Sequence, residues 1–218
     1  MYKNEFDNYL KQNKKFKSYM FYGQSMFLVE QYSLAIAQSF GENDEIEKLY
    51  FEEYNFKYAK DKLLQSSLFS SNNILLIKVE KKLPKKEVDT LIEACNANPD
   101  STLIFACLGD GDFKTMESSF SLKTNSVAVR FFQPTDTEAI RFLEYEAKLL
   151  EMQYEISALN HLYFMHKNDL ALCVNDLKKL AILDQLITVN LVDANCFGIG
   201  VINFEDFLHD LISGKDVG

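Results

Sequence analysis

The sequence predicts an α/β domain built on a parallel five-stranded sheet flanked by helices, followed by a small all-α domain. Two patterns predict it. Up to residue 132 short apolar runs alternate with polar, helix-periodic stretches, and from Asp136 onward only helical spacing remains. Between the halves stands Gln133-Pro134-Thr135, and the residue before a proline is biased away from helix, so the domain boundary belongs there.

Residues 2–13 place Phe6, Tyr9 and Leu10 at helical spacing, which predicts an opening helix. Ser18 to Tyr22 is a brief apolar run ending at Gly23, and the stretch from Phe27 to Phe40 is apolar every three or four positions, giving strand, tight turn and helix. Lys48 to Phe51 reads as a second strand, with a helix over about 56–65 after it. Asn73 to Val79 and Thr102 to Leu108 are nearly unbroken Leu, Ile, Val and Phe runs of the kind buried on both faces of a parallel sheet. Leu83 and Pro84 open the helix between them, since proline is tolerated in a first turn. Ser126 to Phe132 closes the sheet.

In the helical half, Thr135 or Thr137 caps a helix to about Met152, Ser157 begins a second, Asn168 caps a third through Leu183, and Thr188 starts a fourth. Phe204, Phe207, Leu208 and Leu211 then form one stripe over residues 203–212. That amphipathic helix either opens a further domain that the chain does not continue into, or docks on the preceding helices.

Composition narrows the function. With 47% apolar residues, eight Gly and three Pro, the chain has a core to bury and is neither disordered nor low in complexity. A net charge of −9 argues against gripping duplex DNA by general phosphate neutralisation, which needs a cationic face. The four cysteines at 95, 107, 173 and 196 stand far apart without metal-ligand spacing and read as reduced and structural. The polar start excludes a signal peptide and no window is long and apolar enough for a membrane span, so a cytoplasmic protein without membrane contact is expected.

A search for catalytic chemistry returns little. Where a nucleotide-binding chain would carry G-x-x-x-x-G-K-[ST], Gly23 to Glu30 reads GQSMFLVE, without the second Gly, the Lys or the hydroxyl. Met26, Phe27 and Leu28 are expected to fill the place of the phosphates, so no nucleotide, metal or other cofactor is expected. His161 and His166 lie five apart, on nearly opposed sides of a helix, and with His209 read as surface or partly buried side chains. Asp110 and Asp112 resemble a carboxylate pair at a strand end, yet Gly-Asp-Gly-Asp is ordinary turn chemistry. The lysines at 78, 81, 82, 85 and 86, and those at 11, 14, 15 and 17, read as solvated faces. One binding feature stands out. Leu68 and Phe69 sit inside the polar stretch Gln65 to Ser71, as an exposed anchor for a partner's pocket would, or as two side chains folded back on the sheet.

Several pieces in order resemble the delta subunit family of the bacterial DNA polymerase III clamp loader. They are SYMFYGQSMFLVEQY (18–32), QSSLFSSNNILLIKV (65–79), STLIFACLG (101–109), VRFFQPTDTEAIRFL (129–143) and NDLALCVNDLKKLAIL (168–183). The resemblance implies an AAA+ like α/β domain over 1–134 without functional Walker motifs, a helical lid domain over 135–200, and at 201–218 the first helix of a C-terminal collar domain. It implies a subunit that is not itself an enzyme, which binds the sliding clamp (the beta subunit) and opens it for loading onto primed DNA. Its other partners would be the gamma/tau and delta prime subunits, reached through the collar, with DNA met indirectly within the complex. The family's clamp-gripping Ser-Leu-Phe element falls on Ser67, Leu68 and Phe69, preceded here by the small Ser66. Two other classes remain: a degenerate nucleotide-dependent enzyme using Asp110 and Asp112, and a DNA-binding adaptor acting through Lys78 to Lys86.

Overall fold

The computed structural model describes residues 1–43, 45–65, 72–109 and 111–198. They form two compact units, the first ending at Gln133 and the second beginning at Pro134.

In the first unit, helix α1 (Lys3–Lys11) precedes strand β1 (Ser18–Gly23) and helix α2 (Met26–Gln38). Strand β2 (Ile46–Tyr50), α3 (Phe56–Leu64), β3 (Asn73–Val79), α4 (Lys85–Ala97), β4 (Ser101–Cys107), the short α5 (Lys114–Glu117) and β5 (Ser126–Phe131) follow. The strands pair in the order β2-β3-β4-β1-β5, every pair parallel. A parallel sheet carries helices on both faces, and the two-residue alternation of the strands sorts their side chains between two cores. Met20, Leu75, Ile77, Leu103 and Phe105 turn to one face and pack with Leu63, Val88, Leu91 and Cys95 of α3 and α4. Tyr19, Phe21, Leu76 and Ile104 turn to the other and pack with Phe6 of α1 and Leu28, Val29 and Ile36 of α2.

Strand β2 begins two residues earlier than the apolar run Lys48 to Phe51 predicts. Ile46 is buried opposite Ile74 in the ladder, whereas Phe51 takes a φ of 44° and starts a 3₁₀ turn, which removes it from the strand. Edge strand β5 is partly covered: the Met1 ammonium donates to the Ala128 carbonyl at 2.8 Å and the Arg130 amide to the Met1 carbonyl at 3.0 Å.

The second unit contains α6 (Asp136–Leu149), α7 (Ile156–Met165), α8 (Leu170–Ala181) and α9 (Val189–Asn195). Thr135 is the cap of α6, accepting from the Glu138 amide while the Glu138 carboxylate accepts from the Thr135 amide. The cap of α8 is Asp169, not Asn168. The Asp169 carboxylate accepts from the amides of Ala171 and Leu172 at 2.8 and 3.2 Å, while Asn168, at φ 68°, serves the left-handed link from α7. Ala139, Leu143, Leu159, Leu162, Cys173, Leu177 and Val192 fill this unit's core. The stripe at Phe204, Phe207, Leu208 and Leu211 lies outside the described residues, as does His209.

Candidate functional site

Two edges of the sheet matter. At the C-terminal edge, β1 ends at Gly23, whose φ of 140° and close approach to the backbone of Phe131 leave no room for a Cβ. The Gln24 amide donates to the Phe131 carbonyl at 2.8 Å, and the Gln133 side-chain amide donates to the Gln24 carbonyl at 2.9 Å. Ser25 is buried and caps α2, its hydroxyl accepting from the Leu28 amide at 3.4 Å. Two amides at the place where a phosphate would be cradled, those of Gln24 and Leu28, are thus already bonded inside the turn. The expected hydrocarbon plug is corrected in its detail: Leu28 is buried and Phe27 half-buried, but Met26 is 47% exposed, because it is the first residue of α2 and points outward. Closure comes from the Gly23-Gln24-Ser25 backbone rather than from three apolar side chains.

The other residues at this edge are engaged structurally. Lys78, at the end of β3, pairs with Glu30 of α2 at 2.7 Å and lies over the Tyr50 ring. Lys85 pairs with Asp89, whose carboxyl is lowered by the hydrogen bonds from Lys85 and Ser119, while Lys81, Lys82 and Lys86 are exposed. Asp112 accepts from the Lys114 amide at 3.1 Å, which is turn chemistry opening α5, and Asp110 lies outside the described residues. Tyr22 reaches Glu117, and burial, then that hydrogen bond, pushes its phenol well up.

The N-terminal edge carries the two ends of the stretch holding Ser66, Ser67, Leu68 and Phe69, which itself lies outside the described residues. Three buried polar side chains converge there on the end of α3. Asn73 donates to the Lys62 carbonyl at 2.6 Å and to the Ser101 hydroxyl at 2.9 Å. Asn98 donates to the carbonyls of Leu63 and Gln65, both at 3.0 Å, and the Ser101 hydroxyl donates to the Leu63 carbonyl at 2.7 Å. On the far side Asn72 donates to the Phe40 carbonyl at 2.6 Å, and Lys15 lies over the Phe40 ring and bonds the Ser39 carbonyl. Sequence reasoning missed this network, since neither asparagine stands in a recognisable motif.

In the second unit His166 is buried, contrary to the surface or partly buried position expected of it. Its Nε2 lies 2.7 Å from Asp176, which also accepts from Lys179 at 2.6 Å. His161 remains partly exposed and pairs with Asp193 at 2.6 Å. All four cysteines are buried with free thiols, and burial, then the Asp169 and Asp176 charges, pushes Cys173 up to about 12. Among the described residues no group of three His, Cys, Asp or Glu is placed to hold a metal ion, and no helix is long and apolar enough to cross a membrane.

The parallel sheet with its blocked mononucleotide turn, followed by a helical unit, defines an AAA+ like architecture. Two solved structures share it: the Bacillus subtilis DNA clamp loader delta protein (YqeN), with TM-score 0.61 and 15% identity over 96% of this chain and 67% of that one, and RuvB of Thermotoga maritima, with TM-score 0.54 and 12% identity over 87% and 64%. A family model described as DNA polymerase III, delta subunit matches residues 19–132, and one described as a middle domain matches 135–194. Because the first match spans just over half of the chain, the chain belongs to the DNA polymerase III delta subunit family. Two Helicobacter pylori proteins are also similar: one of strain J99 at 27% identity, over 100% of this chain and 69% of the relative, and one of strain 26695 at 29%, over 87% and 61%. The chain thus spans about two thirds of the length of these relatives.

Proposed function

We propose that this chain is the clamp-gripping subunit of a bacterial clamp loader: it binds the sliding clamp through Ser67, Leu68 and Phe69 and holds the ring open for placement on primed DNA. The reading rests on membership of the delta family, and one observation in the fold carries it further. In the turn after β1 the Gln24 amide is spent on the Phe131 carbonyl, the Leu28 amide on the Ser25 hydroxyl, and the Gln24 carbonyl accepts from the Gln133 side chain, which supports a reading in which ATP hydrolysis belongs to other subunits and this one contributes binding. Ring opening requires no catalytic residue, only a surface that complements the distorted clamp better than the closed one. The gamma/tau and delta prime subunits are the further partners of this reading, joined through a collar domain that residues 201–218 begin. The protein acts in the cytoplasm.

A direct DNA-binding role is disfavoured by the net charge of −9, and of the lysines from 78 to 86, Lys78 and Lys85 are paired with Glu30 and Asp89 while Lys81, Lys82 and Lys86 are exposed. Titrating the chain with a bacterial sliding clamp in a calorimeter tests the proposal. Saturable one-site binding is the expected result, and heats no larger than dilution at tens of micromolar clamp would refute it.

A further inference from the structure

Arg130, near the end of edge strand β5, carries a charge that the fold leaves unanswered. The residue is partly buried, and its Nε is sealed from water without a hydrogen-bond partner. Among the described residues its guanidinium makes no hydrogen bond, and no carboxylate lies within ion-pair distance of it. The charged groups around it are engaged elsewhere: Glu117 is reached by the Tyr22 phenol, and Lys3, beside Tyr2, pairs with Asp7 at 2.9 Å. Withdrawing a guanidinium from water without an anion costs folding free energy, and stacking on one ring returns only part of it.

The rings around this cation are themselves open to solvent. Arg130 Cζ lies 5.1 Å over the Phe132 ring, whose centroid is 5.6 Å from that of Tyr2, and the two rings are 47% and 59% exposed. Backbone pairing fixes the group: Arg130 is the ladder partner of Tyr22 on β1 and is bridged on its other side by Tyr2. An arginine between two aromatic rings is the composition of an interface hot spot, and its planar fork matches a carboxylate.

We propose that Tyr2, Arg130 and Phe132 form a docking surface for a protein partner that presents an Asp or Glu carboxylate beside an apolar side chain. The carboxylate completes the pairing that Arg130 lacks, and the apolar neighbour covers the two rings. Charge favours this occupant over a nucleic-acid strand, which brings a phosphate with every nucleotide to a chain of net charge −9 with one unpaired cation at this place. The surface goes beyond the clamp-gripping reading and does not depend on it.

The test uses the full chain and a tripeptide probe, Leu-Glu-Leu with an acetylated N-terminus and an amidated C-terminus, so that the Glu carboxylate is its only charge. Binding is read by nuclear magnetic resonance at the Arg130 Nε–H and the Phe132 backbone amide. A saturable shift with a midpoint of about 1–10 mM is expected, together with no saturation by the Leu-Gln-Leu counterpart. Arg130→Lys, which keeps the charge and loses the fork, should weaken the probe at least about 5-fold at the Phe132 amide. Equal shifts from both peptides, no shift from either, or undiminished binding by Arg130→Lys would overturn the proposal, as would saturation by a deoxythymidine octamer in place of the peptide. Arg130→Met separates docking from a structural role: because it removes a charge without an anion, its unfolding midpoint should equal or exceed that of the parent. A midpoint several degrees lower, or failure to fold, would make Arg130 a support of the fold and overturn the proposal equally.

Discussion

Asn73 and Ser101 face each other across the β3–β4 ladder, and the Asn73 side-chain amide donates to the Ser101 hydroxyl at 2.9 Å inside the protein. The hydroxyl in turn donates to the Leu63 carbonyl, so the pair is one link of a chain that ends on α3. Removing Asn73 leaves the buried Ser101 oxygen without its donor and the Lys62 carbonyl with the Gln65 amide alone, at 3.2 Å. Asn73→Ala should therefore destabilise the α/β unit by about 1–3 kcal/mol, read as a lower urea midpoint at unchanged slope.

Gly23 is a sharper case. Its φ of 140° is closed to other residues, and a Cβ there would collide with the Phe131 backbone that the Gln24 amide bonds. Neither strand can retreat, because β1 and β5 are paired in register from Ser18–Ser126 to Gly23–Phe131. Gly23→Ala should cost more than about 3 kcal/mol and yield little soluble protein. A variant that unfolds within a degree or two of the parent would show that the turn is not closed as described.

Acid should loosen the helical unit through Asp176. Burial pushes its carboxyl up, but hydrogen bonds from Lys179 and His166 outweigh burial and hold it below the ordinary carboxylate range. A carboxyl depressed in the folded state contributes stability that is complete above its unfolded value, about pH 4, and is lost as pH falls through the lower folded value. Asp176→Asn should flatten that acid limb of the pH–stability curve and, at pH 7, lower stability by about 1–3 kcal/mol, since it takes the carboxylate from the buried hydrogen bond to His166. Chemical unfolding at a series of pH values measures both effects.

How far the sequence speaks depends on whether a feature is local. The runs at 73–79 and 102–108 announce buried parallel strands because they are almost unbroken in Leu, Ile, Val and Phe, and Thr135 or Thr137 announces a helix start because a cap lies beside the turn it closes. What escaped depends on tertiary register. Asn73, Asn98 and Ser101 meet only once β3 and β4 are aligned and α3 is laid across their ends. His166 is drawn inside by Asp176, ten residues on, at a spacing that no helical period marks. Met26 looked like filling because it is large and apolar, yet first-turn geometry turns it outward.

Nucleotide binding should be absent for a positive reason, the prior engagement of the turn's amides by Phe131 and Ser25. A fluorescent ATP analogue with magnesium should give no saturable signal up to about 1 mM, a threshold corresponding to about −4 kcal/mol. Saturation in the micromolar range would mean that the Gln24–Phe131 contact opens, and would return the chain to the class of nucleotide-dependent proteins.

The strongest expectation concerns Leu68 and Phe69. Burying both in a partner's pocket contributes roughly 3–6 kcal/mol of transfer free energy before ordering costs, enough to dominate a focused interface. The flanking ends at Gln65 and Asn72 are held by Asn98 and by the Phe40 carbonyl, so shortening the two side chains should leave the sheet intact. Leu68→Ala with Phe69→Ala should weaken clamp binding by at least about 100-fold, that is by about 3 kcal/mol, with an unfolding midpoint close to that of the parent. Lys78→Ala, at the opposite edge of the sheet, should bind as the parent does, because its charge is already spent on Glu30. A double variant that keeps its affinity would move the grip elsewhere on the molecule. One that loses both affinity and stability would mean that the two side chains are part of the core, the alternative their sequence pattern also allows.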